Sequence, residues 1–436
     1  MAYIIFLNGN ILIGGLSGNA AFTAPALAAG TALVAGIMTI AMGIVGNYPL
    51  ALAAGLGINS IVAFTLTFGK GLSPAGAMGV IVWEGLLVTV LVVVGLREAI
   101  MNAVPLALKR AIGVGIGLFI LFIGFANGGL IATGCNPKLL AETGGCIGTL
   151  VTVSFPTTTS QFVFLIGLGI TFALWAKKVR AALVISIVVT TIIGFLPGAL
   201  GLDPVTTLPT SSDFQFPPQF STLGQFDLAN VWTLAPLAAI LTIFTIMLTD
   251  FFDTMGTVTG VAEEAGLANA DGSVPGVGRV LLVDSVAAIA GGMAGVSSNT
   301  TYIESAAGVA EGGRTGFTSV VTGVLFLLAI FLAPIAGIVP GVATAPALVL
   351  VGYLMFTLIK DINVSDLEDG LPALLTVILM PLTYDITVGI GAGFITWVFL
   401  KIVRRKLGEI HALMWVVAGG FVIYFAKDWI STLIGA

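Results

Sequence analysis

The sequence predicts an all-helical membrane protein that crosses the bilayer many times. Of its 436 residues, 58% are hydrophobic and only 8% are charged, whereas a soluble globular domain carries about 25% charged residues. The mean hydropathy is +1.12. Apolar runs of about 20 residues, each long enough as a helix to cross the hydrocarbon core, recur along the whole chain. No stretch is left over for a soluble domain.

Hydropathy in windows of about 19 residues predicts two sets of membrane-spanning helices. Seven lie near 1–16, 24–46, 49–68, 75–96, 104–126, 150–176 and 180–198. Seven more lie near 235–264, 279–297, 299–312, 316–337, 343–360, 371–402 and 411–432. The chain is therefore predicted to consist of a first unit at 1–200, a polar connecting loop at 201–230 and a second unit at 231–436.

Short sequence echoes indicate that the two units are repeats. AGLGINS at 54–60 aligns with AGVSSNT at 294–300 at a shift of 240, which pairs Asn59 with Asn299. A second echo pairs Thr158 with Thr383 at a shift of 225. Because each unit holds an odd number of helices, the second must enter the membrane from the opposite side, so the repeats are predicted to be inverted.

Basic residues give the expected orientation. With the N-terminus in the cytoplasm, ten Lys and Arg residues fall inside, Arg97 among them, and six fall outside. An excess of basic residues on the cytoplasmic side is typical of membrane proteins. Both termini are therefore expected in the cytoplasm, and the protein in the cytoplasmic membrane.

Two predicted helices, the third and the tenth, open with irregular sequence. They begin GLGINS at 55 and GVSSNTTYIES at 295. Gly and Asn weaken a regular helix, and irregular backbone at membrane depth is tolerated only where it is buried in protein or lines a cavity. We expect two broken segments that meet at a central site, where helix-start N–H groups favour a ligand with acceptor atoms.

Carboxylates inside the spanning segments indicate function, because a buried charge is costly unless it faces a cavity or a partner. Asp250 and Asp253 lie near the middle of the 235–264 segment, and Thr257 lies one turn beyond Asp253. We expect Asp253 to contact a ligand. Asp250 is a second candidate, with an internally hydrogen-bonded packing role as the favoured interpretation.

Glu304 has two interpretations. Thr301 and Glu304 have the spacing of a capping box, in which Thr caps the helix and Glu folds back onto the cap. Alternatively, the carboxylate stands beside the break in the third segment and binds the ligand. Burial disfavours the charged form of a carboxyl group, so Asp253 or Glu304 could take a proton near neutral pH. Asp284 is expected to support the site, and Glu84 to pair or pack within the membrane.

Other chemistry is not indicated by the sequence. Cys135 and Cys146 are the only cysteines and His411 is the only histidine, too few and too scattered for a four-ligand zinc site. The cysteines are either free apolar residues or an outward-facing disulfide. A net charge of −5 offers no basic stripe for nucleic acid. Without a nucleophile and base constellation, an enzyme is not expected.

The segment FFDTMGTVTGVAEEAGL at 251–267, together with SSNTTYIESAAGVAEGGRTG and GLGINS, resembles the AzgA-like purine permeases of the nucleobase-cation symporter-2 (xanthine/uracil permease) family. The resemblance covers essentially the whole chain. It implies fourteen segments in two inverted repeats of seven, with a core domain at about 1–98 and 231–338 and a gate domain at about 99–200 and 339–436. It further implies that a nucleobase is carried inward with protons and sits between segments 3, 8 and 10.

The resemblance also carries roles to particular residues. The acid of segment eight falls on Asp253, with Asp250 as the second candidate, and the acid of segment ten falls on Glu304. The Gly and Asn of segment three fall on Gly57 and Asn59. The full set of expected substrate-binding residues is Asp253, Glu304, Asn59, Gly57, Thr301, Tyr302, Ile303, Asn299, Asp250 and Thr257. The expected proton-coupling residues are Glu304, Asp253 and Asp284.

The sequence thus predicts a proton-coupled purine nucleobase importer that works by alternating access, with hypoxanthine and guanine ahead of adenine. The predicted partners are the purine, protons and the lipid bilayer, with a homodimer as a further option. No cofactor is expected beyond H⁺ as the coupling ion. The alternatives are an anion transporter of the sulfate or bicarbonate kind with the same architecture, and a uracil or xanthine permease. Members of the family that the chain resembles usually have more residues before the equivalent of MAYIIF, so the first helix here is short or its start is assigned late. The role of Asn8 in that helix is therefore left open.

Overall fold

The computed structural model describes most of the 436 residues. The described part leaves out 2, 17, 133–150, 155, 180, 207–216, 235, 270–272, 311, 385 and 435–436. The alternatives for Cys135 and Cys146 fall outside the described residues.

The first half of the chain is built from eight helices and three short strands. In order, they are α1 (Ile4–Leu16), α2 (Ala24–Ala41), which continues as a π-helical turn over Met42–Gly46, β1 (Leu52–Ala54), α3 (Leu56–Ser60), which continues as a π-helix over Ile61–Gly69, α4 (Pro74–Val93), α5 (Leu96–Ala103), α6 (Leu106–Asn127), β2 (Ile131–Ala132), β3 (Thr152–Val153), α7 (Thr159–Ala176) and α8 (Ala182–Ala199). This count refers to the residues that the structure describes.

The second half repeats the order helix, helix, strand, short helix, helix. A 3₁₀ turn at Asn230–Thr233 leads into α9 (Pro236–Glu264), α10 (Val277–Met293), β4 (Asn299–Thr301), α11 (Ser305–Ala310), α12 (Gly316–Ala329), which continues as a 3₁₀-helix over Ile330–Ile338, α13 (Gly341–Phe356), α14 (Leu367–Thr383), α15 (Ile386–Val403) and α16 (Ala412–Ile434). Across the described ranges, eight helical stretches of at least 18 residues are apolar enough to cross a membrane. The protein is a multi-pass membrane protein.

Two strands at the centre of the fold correct the predicted third and tenth helices. β1 pairs antiparallel with β4, with Leu52 opposite Thr301 and Ala54 opposite Asn299. The first residues of the predicted helices at 49–68 and 299–312 are therefore extended. Each strand satisfies the main-chain polar groups of the other, which is what backbone without helical hydrogen bonds requires inside a membrane.

The same strands show that the first sequence echo was wrongly aligned. A shift of 240 pairs Asn59 with Asn299, yet Asn59 lies in α3 and Asn299 begins β4. The structurally equivalent elements are β1 and β4, each followed by a short helix. The second echo, at a shift of 225, does align equivalent elements, because it places α7 on α15 to within two residues.

The predicted single helix at 371–402 is two helices. α14 ends at Thr383, and Tyr384 adopts a left-handed conformation with φ 56° before α15 begins at Ile386. The Tyr384 N–H bonds to the carbonyl of Met380 and closes the turn. Apolar residues continue on both sides of this reversal, so a hydropathy window could not detect it.

The helices pack into two groups. α1, α2, α4, α9, α10 and α12 contact one another, and α6, α7, α8, α13, α14 and α15 form the second set, with α16 packed on α15. Small residues allow close approach in the second group: a Cβ at Gly352 would lie 2.5 Å from the carbonyl oxygen of Gly117. Close backbone approach of this kind is how helices associate in membranes. The groups meet mainly where α9 contacts α6 and α15.

A cluster of charges joins the start of α14 to the end of α15. Glu368 accepts hydrogen bonds from Lys401 at 2.6 Å and Arg404 at 2.7 Å, and Lys406 lies 2.7 Å from it. These basic side chains cover the carboxylate, so that the side chain of Glu368 is only 6% exposed at the end of its helix. Hydrogen bonds from Lys401, Lys406 and Arg404 lower the pKa of Glu368 from 4.5 to about 2.

This lowered pKa predicts a pH-dependent contribution to stability. A depressed carboxyl pKa stabilises the fold above the unfolded value, and the contribution is lost as pH falls through the folded value. We expect the difference in melting temperature between wild type and Glu368→Gln to be constant above about pH 5 and to vanish between pH 4.5 and about 2. Glu264→Gln, at the exposed end of α9, is the control. A difference that does not change over this range would contradict the prediction.

Candidate functional site

A small cavity lies where the two strands, α9 and the second helix group meet. Its volume is about 30 Å³, room for about one or two water molecules. The lining residues are Gly55, Leu56, Gly57, Ile116, Ile120, Asp253, Thr257, Thr301, Tyr302, Ile303, Glu304, Val351 and Met355. The cavity is therefore very small in this structure.

The wall of the cavity has two chemically different sides. Polar groups come from α9 and from the end of β4, namely Asp253, Thr257, Thr301, Tyr302 and Glu304. The opposite side is apolar and comes from α6 and α13. A second small cavity, lined by Phe252, Gly256 and Leu358 among others, also borders Asp253 and Thr257. The wall can therefore offer a ligand hydrogen bonds from its polar groups and apolar contacts from its apolar groups.

Local sequence explains why the chain is irregular at this place. Gly295 adopts a left-handed conformation, with φ 70°, in the turn between α10 and β4. A Cβ at this position would lie 2.5 Å from the carbonyl oxygen of Thr222, so glycine is required both for the turn and for the close approach. The turn redirects the chain into β4, which delivers Thr301 and Tyr302 to the cavity.

Seven of the ten expected substrate-binding residues line the cavity. They are Gly57, Asp253, Thr257, Thr301, Tyr302, Ile303 and Glu304. Asn59, Asn299 and Asp250 do not line it.

Asp253 and Glu304 differ in their surroundings. Asp253 is half-buried and, among the residues that the structure describes, receives no hydrogen bond. The hydroxyl of Tyr3 donates to Glu304. Tyr3 is fully buried and was not identified from the sequence, because a single Tyr near the start of an apolar helix gives no signal of its own. Asp253 is thus the acid with free acceptor atoms facing the cavity.

The capping-box interpretation of Glu304 is not what the structure shows. α11 begins at Ser305, so Thr301 is not at its cap position. The main-chain N–H of Thr301 instead donates to Asp284 at 3.1 Å. Glu304 therefore stands at the cavity and does not fold back onto Thr301.

Asn59 turns away from the cavity and into the first helix group. Its amide donates to Asn8 at 2.7 Å, and Asn8 in turn donates to Thr31 at 2.8 Å and to the carbonyl of Val296 at 3.1 Å. Asn8 and Asn59 are fully buried. This network joins α1, α2 and α3 to the segment before β4. Asn8, whose role could not be predicted from the sequence, therefore has a structural role.

Asp284 forms a buried ion pair with Arg97. The guanidinium lies 2.8 Å from the carboxylate, and the two side chains are 1% and 0% exposed. Arg97 also donates to the carbonyl of Leu281 at 3.2 Å and lies over the ring of Phe251. Arg97 was predicted to be a cytoplasmic charge, but it is buried in the protein, because the helix α5 that carries it packs against α4.

The other contacts of Asp284 hold β4 in place. Besides the N–H of Thr301, it accepts the hydroxyl of Thr254 at 2.8 Å and that of Thr300 at 3.4 Å. Asp284 itself does not line the cavity. It acts on the cavity by fixing the strand that carries Thr301.

Comparisons with known proteins show the family to which the chain is similar. The model of Xan_ur_permease, a permease family, matches residues 4–392. The adenine permease AdeP of Escherichia coli K12 is 37% identical over 97% of this chain and 89% of its own length. The guanine/hypoxanthine permease PbuG of Bacillus subtilis 168 is 36% identical over 98% of this chain and 93% of its own length.

Solved structures share the fold. The transmembrane domain of the cyanobacterial bicarbonate transporter BicA superimposes with a TM-score of 0.61, covering 90% of this chain and 95% of that domain, at 15% identity. At this identity the likeness is one of architecture alone.

Proposed function

Because this chain belongs to the Xan_ur_permease family, we propose that it imports a purine nucleobase together with a proton. The prediction of a transporter rather than an enzyme is confirmed by that membership. Guanine, hypoxanthine and adenine are the proposed substrates, since the relatives include permeases named for each of them. The observation that carries the proposal is the pair of acids, Asp253 and Glu304, on the polar side of the central cavity.

The chemistry of a purine suits this wall. A purine is a flat ring with N–H donors and ring acceptors around its edge. The free oxygens of Asp253 accept N–H groups, and hydrogen bonds to a charged group stabilise by about 1.5–3 kcal/mol each. The apolar side chains of Ile116, Ile120, Val351 and Met355 lie opposite and would cover the faces of the ring. A base without the matching donors leaves the buried carboxylate unpaired, which disfavours its binding.

The small cavity supports transport by movement of the two helix groups. Its volume of about 30 Å³ is too small for a purine. We propose that the residues at about 1–98 and 231–338 act as the core domain and those at about 99–200 and 339–436 as the gate domain. Separation of α6 and α13 from α9 and β4 would open the cavity to one side of the membrane, as alternating access requires.

The coupling proton is proposed to reach the acids of the cavity. Asp253 and Glu304 line it, whereas Asp284 is held by Arg97 and supports β4. A proton on a cavity acid removes a negative charge that would otherwise have to cross the membrane interior with the substrate. We further propose that the protein lies in the cytoplasmic membrane with both termini in the cytoplasm. We propose that any oligomer it forms is a homodimer.

Uptake measurements test this function. Cells deficient in purine uptake that express this protein are expected to accumulate radiolabelled hypoxanthine, guanine or adenine, and a protonophore should abolish the accumulation. Excess sulfate, bicarbonate, uracil and xanthine serve as competitors. Uptake that a protonophore leaves unchanged would remove the coupling proposal. If an anion or uracil competes and purines do not, the substrate is that anion or uracil and not a purine.

A further inference from the structure

Glu84 of α4 is a fifth acid within the membrane, and it lies near Asp250 in the interior of the first helix group. Both side chains are fully buried. The two carboxyl groups are close enough to interact directly, and the helices that carry them, α4 and α9, pack against each other. Yet both oxygens of Glu84 and one oxygen of Asp250 have no hydrogen-bond donor among the described residues. The other oxygen of Asp250 accepts the hydroxyl of Ser298 at 3.3 Å.

Two ionised carboxylates cannot satisfy each other, because both only accept hydrogen bonds. If one carries a proton, it becomes a donor and the contact becomes a hydrogen bond. A single proton therefore supplies the missing donor and removes one of two like charges. Two carboxyl groups that share a site cannot both ionise without a large electrostatic cost, as in other carboxyl pairs.

The charged neighbours do not replace that proton. The titratable and charged groups around the pair are Arg97, Asp284 and Asp253. Arg97 is already paired with Asp284 at 2.8 Å, so these two charges largely cancel. Asp253 is a further acid, one turn along α9. The pair would hold two uncompensated negative charges in a fully buried interior if it were fully ionised.

We propose that Glu84 and Asp250 form a second proton-binding site in the membrane interior, in addition to the acids of the substrate cavity, and that its proton is exchanged with solvent in each transport cycle. The exchange rests on the proton-coupled transport proposed above. In each cycle a carboxylate takes up one H⁺ and becomes a carboxyl group, and it releases the same H⁺ when the charge is restored.

The pair is connected to the cavity through β4. Ser298, which binds Asp250, immediately precedes the strand, and Thr301 at its end lines the cavity. Asp250 also lies one turn before Asp253 on α9. When the proton leaves, two repelling carboxylates face each other at the contact with Ser298. The position of β4, and with it the shape of the cavity, therefore depends on whether the proton is present.

Glu84→Gln tests the exchange of this proton. Its amide keeps the size of the side chain and donates permanently to Asp250, so it imitates the protonated pair. In proteoliposomes, a gradient of one pH unit should drive about tenfold purine accumulation per proton by wild type. Glu84→Gln should bind the purine and exchange it across the membrane, but lose the part of the accumulation that this proton drives. Glu264→Gln, on the exposed end of α9, should accumulate like wild type.

An infrared measurement tests the proton itself. Wild type at neutral pH should show a C=O band of a protonated carboxyl group that Glu84→Gln removes and Glu264→Gln leaves in place. Wild-type accumulation by Glu84→Gln, or an unchanged carboxyl band, would overturn the proposal. If Glu84→Gln does not fold, Asp250→Asn takes its place in both measurements. If wild type itself does not respond to the gradient, the coupling and the role of the pair in the cycle are wrong, and the infrared band alone decides whether the pair holds a proton.

Discussion

Asp253→Ala is expected to abolish purine transport and to weaken purine binding on the order of 100-fold, which corresponds to about 2.7 kcal/mol. Asp253 is the cavity acid whose oxygens receive no hydrogen bond from the described residues. Its removal would take away the acceptor for purine N–H groups and leave those donors unpaired in a closed cavity. Loss of a hydrogen bond to a charged group, with desolvation of the donors, accounts for an effect of this size.

Binding to purified protein, followed by calorimetry or by thermal shift with each purine, measures the effect. Asp203→Ala is the matched control, because Asp203 is an exposed acid in the connecting loop. It should bind purines like wild type. The melting temperature without ligand separates lost binding from lost folding. Wild-type affinity in Asp253→Ala would mean that the purine binds elsewhere than in the central cavity.

Removal of either partner of the Arg97–Asp284 pair is expected to have the largest effect on stability. Both side chains are almost fully buried, at 1% and 0% exposure, and 2.8 Å apart. Arg97→Met would leave a buried carboxylate without its counter-ion, and Asp284→Asn would leave a buried guanidinium. Breaking a buried pair in this way costs about 3–5 kcal/mol, whereas an exposed pair contributes about 0–1 kcal/mol.

The double variant distinguishes the ion pair from other roles of the two residues. Arg97→Met with Asp284→Asn leaves no unpaired charge, so it should melt at a higher temperature than either single variant in detergent. Arg279→Met, an exposed basic residue on α10, should melt like wild type. Additive losses in the double variant would show that the two residues stabilise the fold independently.

The two acids Glu84 and Asp250 and the ion pair of Arg97 with Asp284 lie in the same helix group. Both are next to the strand that borders the cavity. Together they place three acids and one base in the interior of the first group, outside the cavity. The first group therefore carries almost all of the buried charge described around the site, while α6 and α13 present apolar side chains. This distribution suits a charged binding half against which an apolar half moves.

The membrane class, most of the helix positions, the two irregular segments and the two cavity acids could be predicted from the sequence alone. These features are local, because the length of an apolar run and the cost of a charge within it depend only on residues that are neighbours in the sequence. Asp253 and Glu304 could therefore be identified before any partner was known. The family resemblance added their expected roles.

The partners of the polar residues could be identified from the three-dimensional structure but not from the sequence. Tyr3 and Glu304 are 301 positions apart, and Arg97 and Asp284 are 187 positions apart. Asn59 was expected in the site but binds Asn8 instead. Glu84 became a candidate proton-binding residue only because the structure places it near Asp250. Which face of a helix points to a cavity, and which to another helix, depends on packing between distant segments. In an evenly apolar helix no hydrophobic periodicity marks that face, so the choice could not be read from the sequence.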